Sequence, residues 1–186
     1  TQWRRDAMSA GATLRAPETV YFSFDTKLGK DVTIEPNVVF EPGVLVEDNV
    51  TIRAFSHIGG ATIKKGAIVG PFARIRPKTV IGPNARVGNF VEIKNTQLEK
   101  GAKANHLSYV GDAFVGEGAN IGAGTITCNY NGFYKSQTHI EAGVFIGSNA
   151  SLIAPLTVSK GAIVGAGSVV TKNIPENDMA VARADQ

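Results

Sequence analysis

The sequence is poor in the residues that crosslink a chain or fill a broad core. Its 186 residues include one cysteine, Cys128, which excludes an internal disulfide and a metal site built from several cysteines. Aromatic residues make up only 8%, with a single tryptophan. Residues 1–14 lack the apolar run of a signal peptide, and no stretch approaches the roughly 20 apolar residues of a transmembrane helix. We therefore predict a slim core and a cytoplasmic protein that does not enter a membrane.

An excess of charge of one sign is also lacking. The chain has 19 Lys and Arg against 16 Asp and Glu, which gives a net charge of +3. The basic residues do not form a cluster of the density typical of nucleic-acid-binding proteins, so we predict no nucleic-acid partner. The mild positive bias still suits a small ligand that carries phosphate.

Glycine, in contrast, is abundant with 21 residues, and the apolar residues follow a regular repeat. Twenty-three apolar residues lead successive segments, and 18 of the 22 gaps between them are six residues long, which is too regular for chance. The leads are Leu28, Ile34, Phe40, Val46, Ile52, Ile58, Ile63, Val69, Ile75, Ile81, Val87, Ile93, Leu98, Ala104, Val110, Val115, Ile121, Ile140, Ile146, Leu152, Val158, Val164 and Val170.

A period of six fits neither an α-helix nor a plain alternating strand. It predicts short strands separated by corners, where glycine adopts backbone conformations that other residues resist. Each lead points inward, and a small residue four positions later leaves room where the walls converge. Three segments then form one triangular coil of about 18 residues, and the coils stack at the roughly 4.8 Å spacing of β-strands. The predicted fold is all-β, a parallel β-helix shaped as a triangular prism.

The two ends of the chain lie outside this repeat. Gln2–Leu14 is expected to form a short amphipathic helix that caps the prism. After Val170, we expect the chain to leave the coil near Pro175 and to run back over its surface.

The repeat is interrupted after Ile121. Residues 127–139 put thirteen residues in the place of one six-residue segment, so the excess must protrude as a loop. Interruptions of a solenoid often carry its function. The loop holds two tyrosines, a phenylalanine and Lys135, which suit a ligand with flat and polar parts. We interpret it as a binding loop, and a tolerated surface loop is the alternative.

Two cationic residues each come directly after a lead, and they are separated by the length of one coil. Arg76 and Lys94 are 18 residues apart and should point outward, one above the other. Stacked like charges repel, so an anion between them is favourable. Phosphate is the natural candidate, because Arg offers a bidentate fork and Lys a point charge; two solvated side chains that splay apart are the alternative. Arg74 and Glu92 repeat the spacing with opposite signs and are expected to form an ion pair, unless Glu92 orients a catalytic group.

The three histidines are the candidate proton acceptors or metal ligands. A site in which His57, His106 and His139 share a metal between subunits is one alternative, but their spacing does not favour it, and we predict no metal. His106 follows the coils of Arg76 and Lys94 and precedes the loop, so we expect it close to the two cations.

Four stretches carry a more specific signal. They are GPFARIRP (70–77), GNFVEIK (88–94), HLSYVGD (106–112) and NIGAGTITCNYNG (120–132). Together they resemble the acetyltransferase domain of the bifunctional N-acetylglucosamine-1-phosphate uridyltransferases/glucosamine-1-phosphate N-acetyltransferases, which are hexapeptide-repeat acyltransferases. The resemblance covers essentially the whole chain, and residues 120–132 are its most specific part.

The resemblance implies a left-handed β-helix, a homotrimer and a set of site residues. It makes His106 the catalytic base. The sugar-phosphate contacts that it implies are Arg76, Lys94, Tyr109 and Asn120. The acetyl-CoA contacts that it implies are Ala123, Asn129, Tyr130, Ser148, Ala166 and Arg183, with Lys135 as a further candidate near the phosphates.

The same resemblance implies a division of the chain. Residues 1–15 correspond to a connector helix from an N-terminal uridyltransferase domain, 16–172 to the β-helix acetyltransferase domain and 173–186 to a C-terminal tail. The uridyltransferase domain, with its Gly-rich nucleotide loop and Mg²⁺ site, has no counterpart in these 186 residues. We therefore expect acetylation of glucosamine-1-phosphate, a step of UDP-N-acetylglucosamine synthesis for peptidoglycan and lipopolysaccharide, without formation of the UDP-sugar itself.

The implied chemistry agrees with the residues present. An amine attacks the thioester of the cosubstrate acetyl-CoA only after it loses a proton, and a neutral His106 imidazole can take that proton. Direct attack needs no acetyl-enzyme, so we predict that Cys128 is a bystander. Backbone N–H groups of residues 122–124 are candidates to stabilise the oxyanion. An acyltransferase that uses acyl carrier protein with a sugar nucleotide, and a non-catalytic scaffold, are the alternative functions.

Overall fold

Parallel strands of two to seven residues follow one another along nearly the whole chain in the computed structural model, which describes residues 2–184. Thr1 of the predicted connector, and Asp185 and Gln186 of the predicted tail, lie outside the described residues. Within the described residues, the helical elements are one α-helix, α1 (Gln2–Ser9), and one turn of 3₁₀ helix (Pro17–Thr19).

The strands are β1 (Thr13–Leu14), β2 (Lys27–Leu28), β3 (Thr33–Ile34), β4 (Val39–Phe40), β5 (Leu45–Val46), β6 (Thr51–Ile52), β7 (His57–Ile58), β8 (Ala61–Ile63), β9 (Ile68–Val69), β10 (Arg74–Ile75), β11 (Thr79–Ile81), β12 (Arg86–Asn89), β13 (Glu92–Leu98), β14 (Lys103–His106), β15 (Tyr109–Val115), β16 (Asn120–Ile121), β17 (Ile126–Cys128), β18 (Thr138–Ile140), β19 (Phe145–Ile146), β20 (Ser151–Ile153), β21 (Leu156–Val158), β22 (Ile163–Val164), β23 (Val169–Val170) and β24 (Met179–Ala180).

These strands stack into three walls of a prism. The first wall is the ten-stranded sheet β1-β3-β6-β9-β12-β14-β16-β19-β22-β24. The second wall contains β4, β7, β10, β17, β20 and β23, and the third contains β2, β5, β8, β11, β18 and β21. The long strands β13 and β15 bend around the corner between these two walls and join them into one 14-stranded sheet. Each coil therefore passes through the first, second and third walls before the next coil begins.

The predicted repeat forms the core. Every lead is buried except Leu28, which is partly buried. Leads of successive coils face one another across the ladder, as Ile75 does with Ile93 and Ile93 with Val110. Burial of these side chains is the main favourable contribution to folding. The small residues four positions after a lead are buried as predicted, and they are Ala67, Ala73, Ala85, Thr125, Ala150 and Ser168.

The corner between the first and second walls carries a stack of aromatic rings, and we call it the aromatic corner. Phe55, Phe72 and Phe90 occupy it in three successive coils, with ring centroids 4.9 and 5.2 Å apart. Their φ angles are 59°, 53° and 54°, in a region that non-glycine residues seldom adopt. The rings remain exposed on their outer side. The upper coils thus present an apolar edge at this corner.

A short helix precedes the first strand of the coil. The predicted N-terminal helix is confirmed over Gln2–Ser9, and its Arg4 side chain donates from Nε to the Val20 carbonyl at 2.8 Å.

Among residues 2–184, no helix has both the length and the apolar character required to cross a bilayer.

The predicted departure from the coil after Val170 is wrong. Ile174 is buried and bridges to Val158, and β24 pairs in parallel with β22. Pro175 does not end the coil, because it begins the turn at residues 176–177, where its carbonyl accepts the Asp178 N–H at 3.4 Å. The solenoid therefore includes most of the segment that the sequence assigned to a tail.

The predicted loop is confirmed, although strands occupy both of its ends. β17 and β18 extend into residues 127–139, so that residues 129–137 protrude where the second wall meets the third. The loop is ordered by an antiparallel bridge between Tyr130 and Lys135. The Asn131 Oδ1 accepts the backbone N–H groups of Phe133 and Tyr134 at 3.0 and 2.8 Å.

Neighbouring residues of β23 allow a matched test of the repeat. Val170 points inward and is 3% exposed, whereas Val169 points outward and is 51% exposed. We expect Val170→Ala to lower the free energy of unfolding by about 2–3 kcal/mol, because it removes two buried methyl groups and leaves a cavity. Val169→Ala should lower it by less than about 1 kcal/mol. Urea unfolding of both variants is the measurement, and equal losses would contradict the inward assignment of Val170.

Candidate active site

The corner between the second and third walls collects most of the predicted polar residues, and we call it the loop corner. It contains the predicted residues Arg76, Lys94 and Asn129, together with Asn95 and Asp112, which the sequence analysis did not single out. The register pairs Ile75 with Ile93, and the Arg76 N–H donates to the Ile93 carbonyl at 2.8 Å. Arg76 therefore lies one coil above Lys94, as their 18-residue spacing predicts.

The ion pair at this corner differs from the predicted one. Glu92 Oε1 lies 2.8 Å from Arg76 Nη1, with both side chains partly exposed. Arg74 faces Glu92 directly across the ladder but is not its partner. The carboxylate instead reaches diagonally to Arg76, two residues further along the outer face, a distance that long side chains span. Glu92 thus offsets one of the two cations and orients its guanidinium.

Asp112 lies at the centre of the loop corner. It is 7% exposed, and its φ of 49° turns the backbone at the bend of β15. Its Oδ1 accepts Asn95 Nδ2 at 2.6 Å and its Oδ2 accepts Asn129 Nδ2 at 2.5 Å. Burial alone would raise the pKa of Asp112, but these two hydrogen bonds and the positive charges of Lys94 and Lys135 outweigh it and hold the pKa below its ordinary value. The side chain is therefore a buried carboxylate at neutral pH.

Tyr109 reaches the same corner along the outside of the second wall. Its hydroxyl lies 3.3 Å from Asn129 Nδ2. The phenol ring occupies the space beside Gly111, so a Cβ added at Gly111 would collide with the ring and its hydroxyl. A side chain at position 111 would therefore have to displace the Tyr109 ring, whereas the φ of Gly111 itself does not call for glycine.

The loop itself brings a third cation to this corner. The Asn129 carbonyl accepts the Ser136 N–H at 2.9 Å, which closes the base of the loop. Lys135 precedes Ser136, and its charge lies close enough to Asp112 to lower the pKa of that carboxyl. The aromatic side chains of the loop point to solvent, and Phe133 is the most exposed at 85%.

His106 lies on a different face, at the end of β14 in the first wall. Its Nδ1 is 2.9 Å from Asn89 Oδ1, and the ladder pairs these two residues one coil apart. A carboxamide oxygen only accepts hydrogen bonds, so Nδ1 is the donor, and in the neutral imidazole the lone pair is on Nε2. The imidazole is thus oriented as a proton acceptor through Nε2.

The predicted oxyanion donors are partly occupied. The His106 carbonyl accepts the Ser108 hydroxyl at 2.8 Å and the Gly124 N–H at 3.3 Å. The Gly124 N–H is therefore not free to stabilise an oxyanion, which corrects that part of the prediction.

Four of the predicted acetyl-CoA residues form a column below His106. Each follows a strand of the first wall by two or three residues, at the same corner in successive coils. The Ala123 carbonyl accepts the Asn149 N–H at 2.7 Å, and the Ser148 carbonyl accepts the Gly167 N–H at 2.8 Å. Arg183 Nη1 donates to the Ala166 carbonyl at 2.7 Å. Ala123, Ser148, Ala166 and Arg183 thus share one edge of the prism. The other two, Asn129 and Tyr130, lie at the loop corner.

One chain does not bring all of the predicted site residues together. His106 lines a cavity of about 250 Å³ on the first wall with Arg53 and Arg86, whereas Tyr109 and Glu92 line a separate cavity of about 400 Å³ on the second wall. The expectation that His106 lies close to Arg76 and Lys94 is wrong for a single chain, because the coil turns a corner at residues 107–108. Asn120 also lies on the first wall, between Lys103 and Phe145.

Comparison with known proteins agrees with the repeat and the resemblance. The families described as bacterial transferase hexapeptide (six repeats), GMPPB C-terminal domain, and hexapeptide repeat of succinyl-transferase match residues 25–60, 57–131 and 137–172. LpxA from Acinetobacter baumannii has a similar solved structure, with a TM-score of 0.63 and 14% identity over 91% of this chain and 71% of that one. At this identity the similarity concerns the fold alone, a left-handed β-helix.

Closer relatives agree along the whole chain. The bifunctional protein GlmU of Sphingopyxis alaskensis is 61% identical over 100% of the chain, and that of Zymomonas mobilis is 56% identical over 98%. The chain belongs to the hexapeptide-repeat family. It spans about two fifths of the length of these relatives, 42% and 41%.

The remaining reactive side chains of this hexapeptide-repeat chain lie apart from one another. Burial raises the pKa of the Cys128 thiol, so the thiol stays protonated and is a poor nucleophile at neutral pH. The three histidines lie on three different walls: His57 Nε2 is 2.9 Å from Glu41, and the His139 ring stacks on Phe114 with centroids 4.6 Å apart.

Two groups of polar contacts in the site were missed in the sequence analysis, although a signal for them was present. Asn95, Asp112 and Asn129 are spaced by 17 residues, and so are Asn89 and His106. In a hexapeptide-repeat coil, polar residues at this spacing stack on neighbouring strands and can form hydrogen bonds. A search for polar residues one coil apart would have found both groups.

A single methyl group at Gly111 tests the packing of Tyr109. We expect Gly111→Ala to push the phenol away from Asn129 and to lower the free energy of unfolding by about 1–3 kcal/mol through overcrowding. Gly118→Ala is the contrast, because a Cβ there meets nothing within 4 Å and any loss of stability comes from its φ of 68°, so the Tyr109 ring should stay in place. Crystal structures and urea unfolding of both variants are the measurements. An unmoved Tyr109 ring in Gly111→Ala would contradict the argument.

Proposed function

We propose that this chain transfers the acetyl group of acetyl-CoA to the amine of glucosamine-1-phosphate, which gives N-acetylglucosamine-1-phosphate and CoA. The observation that carries this proposal is the identity of 54–61% over at least 98% of the chain with relatives called bifunctional protein GlmU. The fold and the arrangement of His106 and the loop corner support it. We further propose that the reaction takes place in the cytoplasm, where both substrates are small soluble molecules.

The loop corner supplies the binding site for the sugar phosphate in this proposal. Arg76, Lys94 and Lys135 converge there and can neutralise a phosphate group, with Arg76 as the bidentate donor. Glu92 holds the guanidinium before the anion arrives. The Tyr109 hydroxyl adds a neutral hydrogen-bonding group beside the cations, and Asn120 contributes from the first wall.

His106 acts as the general base. Its Nδ1–H is held by Asn89 Oδ1, so Nε2 accepts the proton that the amine loses as its nitrogen attacks the thioester carbonyl. The carbonyl carbon becomes tetrahedral, and the CoA thiolate then leaves as the amide forms. No covalent bond to the protein is needed, which agrees with a protonated Cys128.

Acetyl-CoA is assigned to the column of Ala123, Ser148, Ala166 and Arg183. This edge runs from the coils near His106 toward the C-terminal end of the prism and suits an extended cosubstrate. Arg183 provides a positive charge at its far end for a phosphate. Asn129 and Tyr130 contact the same cosubstrate from the loop corner.

The separation of the two faces supports a homotrimer. His106 and the acetyl-CoA column lie at one corner of the prism, whereas the phosphate-binding cations lie at another corner of adjacent coils. A threefold ring places the first corner of one copy opposite the loop corner of the next, so that three equivalent sites form between subunits. In this proposal each active site takes residues from more than one chain.

The reaction is tested directly by release of free thiol. Purified protein with acetyl-CoA and glucosamine-1-phosphate should release CoA, and glucosamine-6-phosphate should not replace the 1-phosphate. Mass spectrometry of the sugar product should show the added acetyl group. No release with either sugar would reject the proposal and favour a different acyl donor or a non-catalytic scaffold.

The role of His106 is tested by its removal. We expect His106→Ala to lower kcat by about 10²–10⁴-fold, because a general base contributes this much, while the affinity for the sugar phosphate persists. His57→Ala is a matched control, since His57 is also exposed and also hydrogen-bonded to a residue one coil away. Steady-state kinetics and calorimetric binding separate the two effects. Equal kcat in His106→Ala and wild type would reject the assignment.

The role of Arg76 is tested through substrate affinity. We expect Arg76→Ala to raise the KM for glucosamine-1-phosphate by about 10-fold or more, the scale of a lost charge-assisted hydrogen bond. The KM for acetyl-CoA should change little. Lys64→Ala is the control, because it breaks an ion pair with Glu47 that has the same length and exposure as the Arg76–Glu92 pair. A parallel loss of both affinities would instead indicate misfolding.

A further inference from the structure

Among residues 2–184, Asp112 is the one carboxylate at the loop corner that forms no ion pair with a cation. Its two oxygens accept the side-chain amides of Asn95, one coil above, and Asn129, one coil below, at 2.6 and 2.5 Å. The same Asn129 amide lies 3.3 Å from the Tyr109 hydroxyl. One carboxylate therefore connects three successive coils and a residue of each proposed ligand site.

Burial of the Asp112 carboxylate carries a free-energy cost of desolvation. A buried carboxylate loses its hydration, and hydrogen bonds and nearby charges must replace it. Here two amide donors and the ammonium groups of Lys94 and Lys135 provide that replacement. Conversely, the carboxylate offsets the repulsion between these two lysines, which belong to different coils.

We propose that Asp112 is a positioning residue that holds Asn129, Tyr109 and the base of the 129–137 loop in the arrangement needed for catalysis. The inference rests on the proposed acetyl transfer, because Tyr109 and Asn129 are assigned there to the sugar phosphate and to acetyl-CoA. Asp112 itself contacts neither substrate. It acts through the side chains that it orients.

The Asp112 carboxylate fixes the position of the loop base through its hydrogen bond with Asn129. Because Asp112 captures Asn129 Nδ2, the Asn129 Oδ1 must point away from the carboxylate. The Asn129 backbone carbonyl accepts the Ser136 N–H, so the same residue also fixes where the loop returns to the coil. Lys135 immediately precedes Ser136 and is therefore carried to the corner. Loss of the carboxylate should release the loop base and both lysines together.

The test uses Asp112→Asn, which keeps the size of the side chain and a residue type that tolerates positive φ. We expect the KM values for acetyl-CoA and glucosamine-1-phosphate to rise about 10-fold, the scale of a hydrogen bond to a charged group. Asp31→Asn is the matched control, because Asp31 is an exposed residue in the same backbone conformation, with a φ of 56°. The control variant should retain wild-type kinetics.

A double-mutant cycle separates positioning from general stability. If Asp112 acts on acetyl-CoA through Asn129, then Asp112→Asn should raise the KM for acetyl-CoA about 10-fold in the wild-type background and less than about 2-fold in the Asn129→Ala background. A purely structural effect would add equally in both backgrounds. Equal effects in both backgrounds, or wild-type kinetics in Asp112→Asn, would overturn the inference while leaving the proposed reaction intact.

Hydrogen exchange tests the anchoring without any substrate. The Asn129 and Ser136 amides should exchange about 10-fold faster in Asp112→Asn than in wild type, and amides of the upper coils should not change. Asp31→Asn should leave the loop amides unchanged. Unchanged exchange in the loop of Asp112→Asn would overturn the anchoring role, even if the wild-type protein releases no CoA and the proposed reaction fails.

Discussion

The structure depends on a core that is one side chain deep. Each wall of a coil contributes an inward lead such as Ile75 or Ile93, and it stacks on the lead of the next coil. The backbone groups of that short strand are satisfied by the coils above and below. A strand of two residues has no stability alone, so the coils fold as a stack in which every lead supports its neighbours.

This constraint leaves the outward positions free to vary. Because the walls are in register, outward residues spaced by one coil lie on neighbouring strands and meet as columns. The site consists of such columns: Arg76 above Lys94, Asn89 above His106, and Asp112 between Asn95 and Asn129. The inner positions keep the spacing constant, and the outer positions provide the chemistry.

The loop is the one large departure from the repeat, and the surrounding coils compensate for it. β15 bends around the corner, and Thr127 satisfies backbone groups there, with its Oγ1 accepting the Gly111 N–H at 2.8 Å. Asp112 binds the first residue of the loop. The insertion thus enlarges the corner without disturbing the leads on either side, since Ile121 and Ile140 are both buried.

The spacing of residues was enough to predict the prism, its inward leads, the stacking of Arg76 on Lys94 and the position of the loop. These features follow from the spacing of residues along the chain, which is read directly from the sequence. The folded chain was needed to show that Glu92 pairs with Arg76, that Ile174 and β24 continue the coil, and that His106 and Lys94 face different sides. These features depend on the direction in which each side chain points at a corner. A turn of two residues places neighbours in the sequence on different walls, and residue spacing does not record that direction.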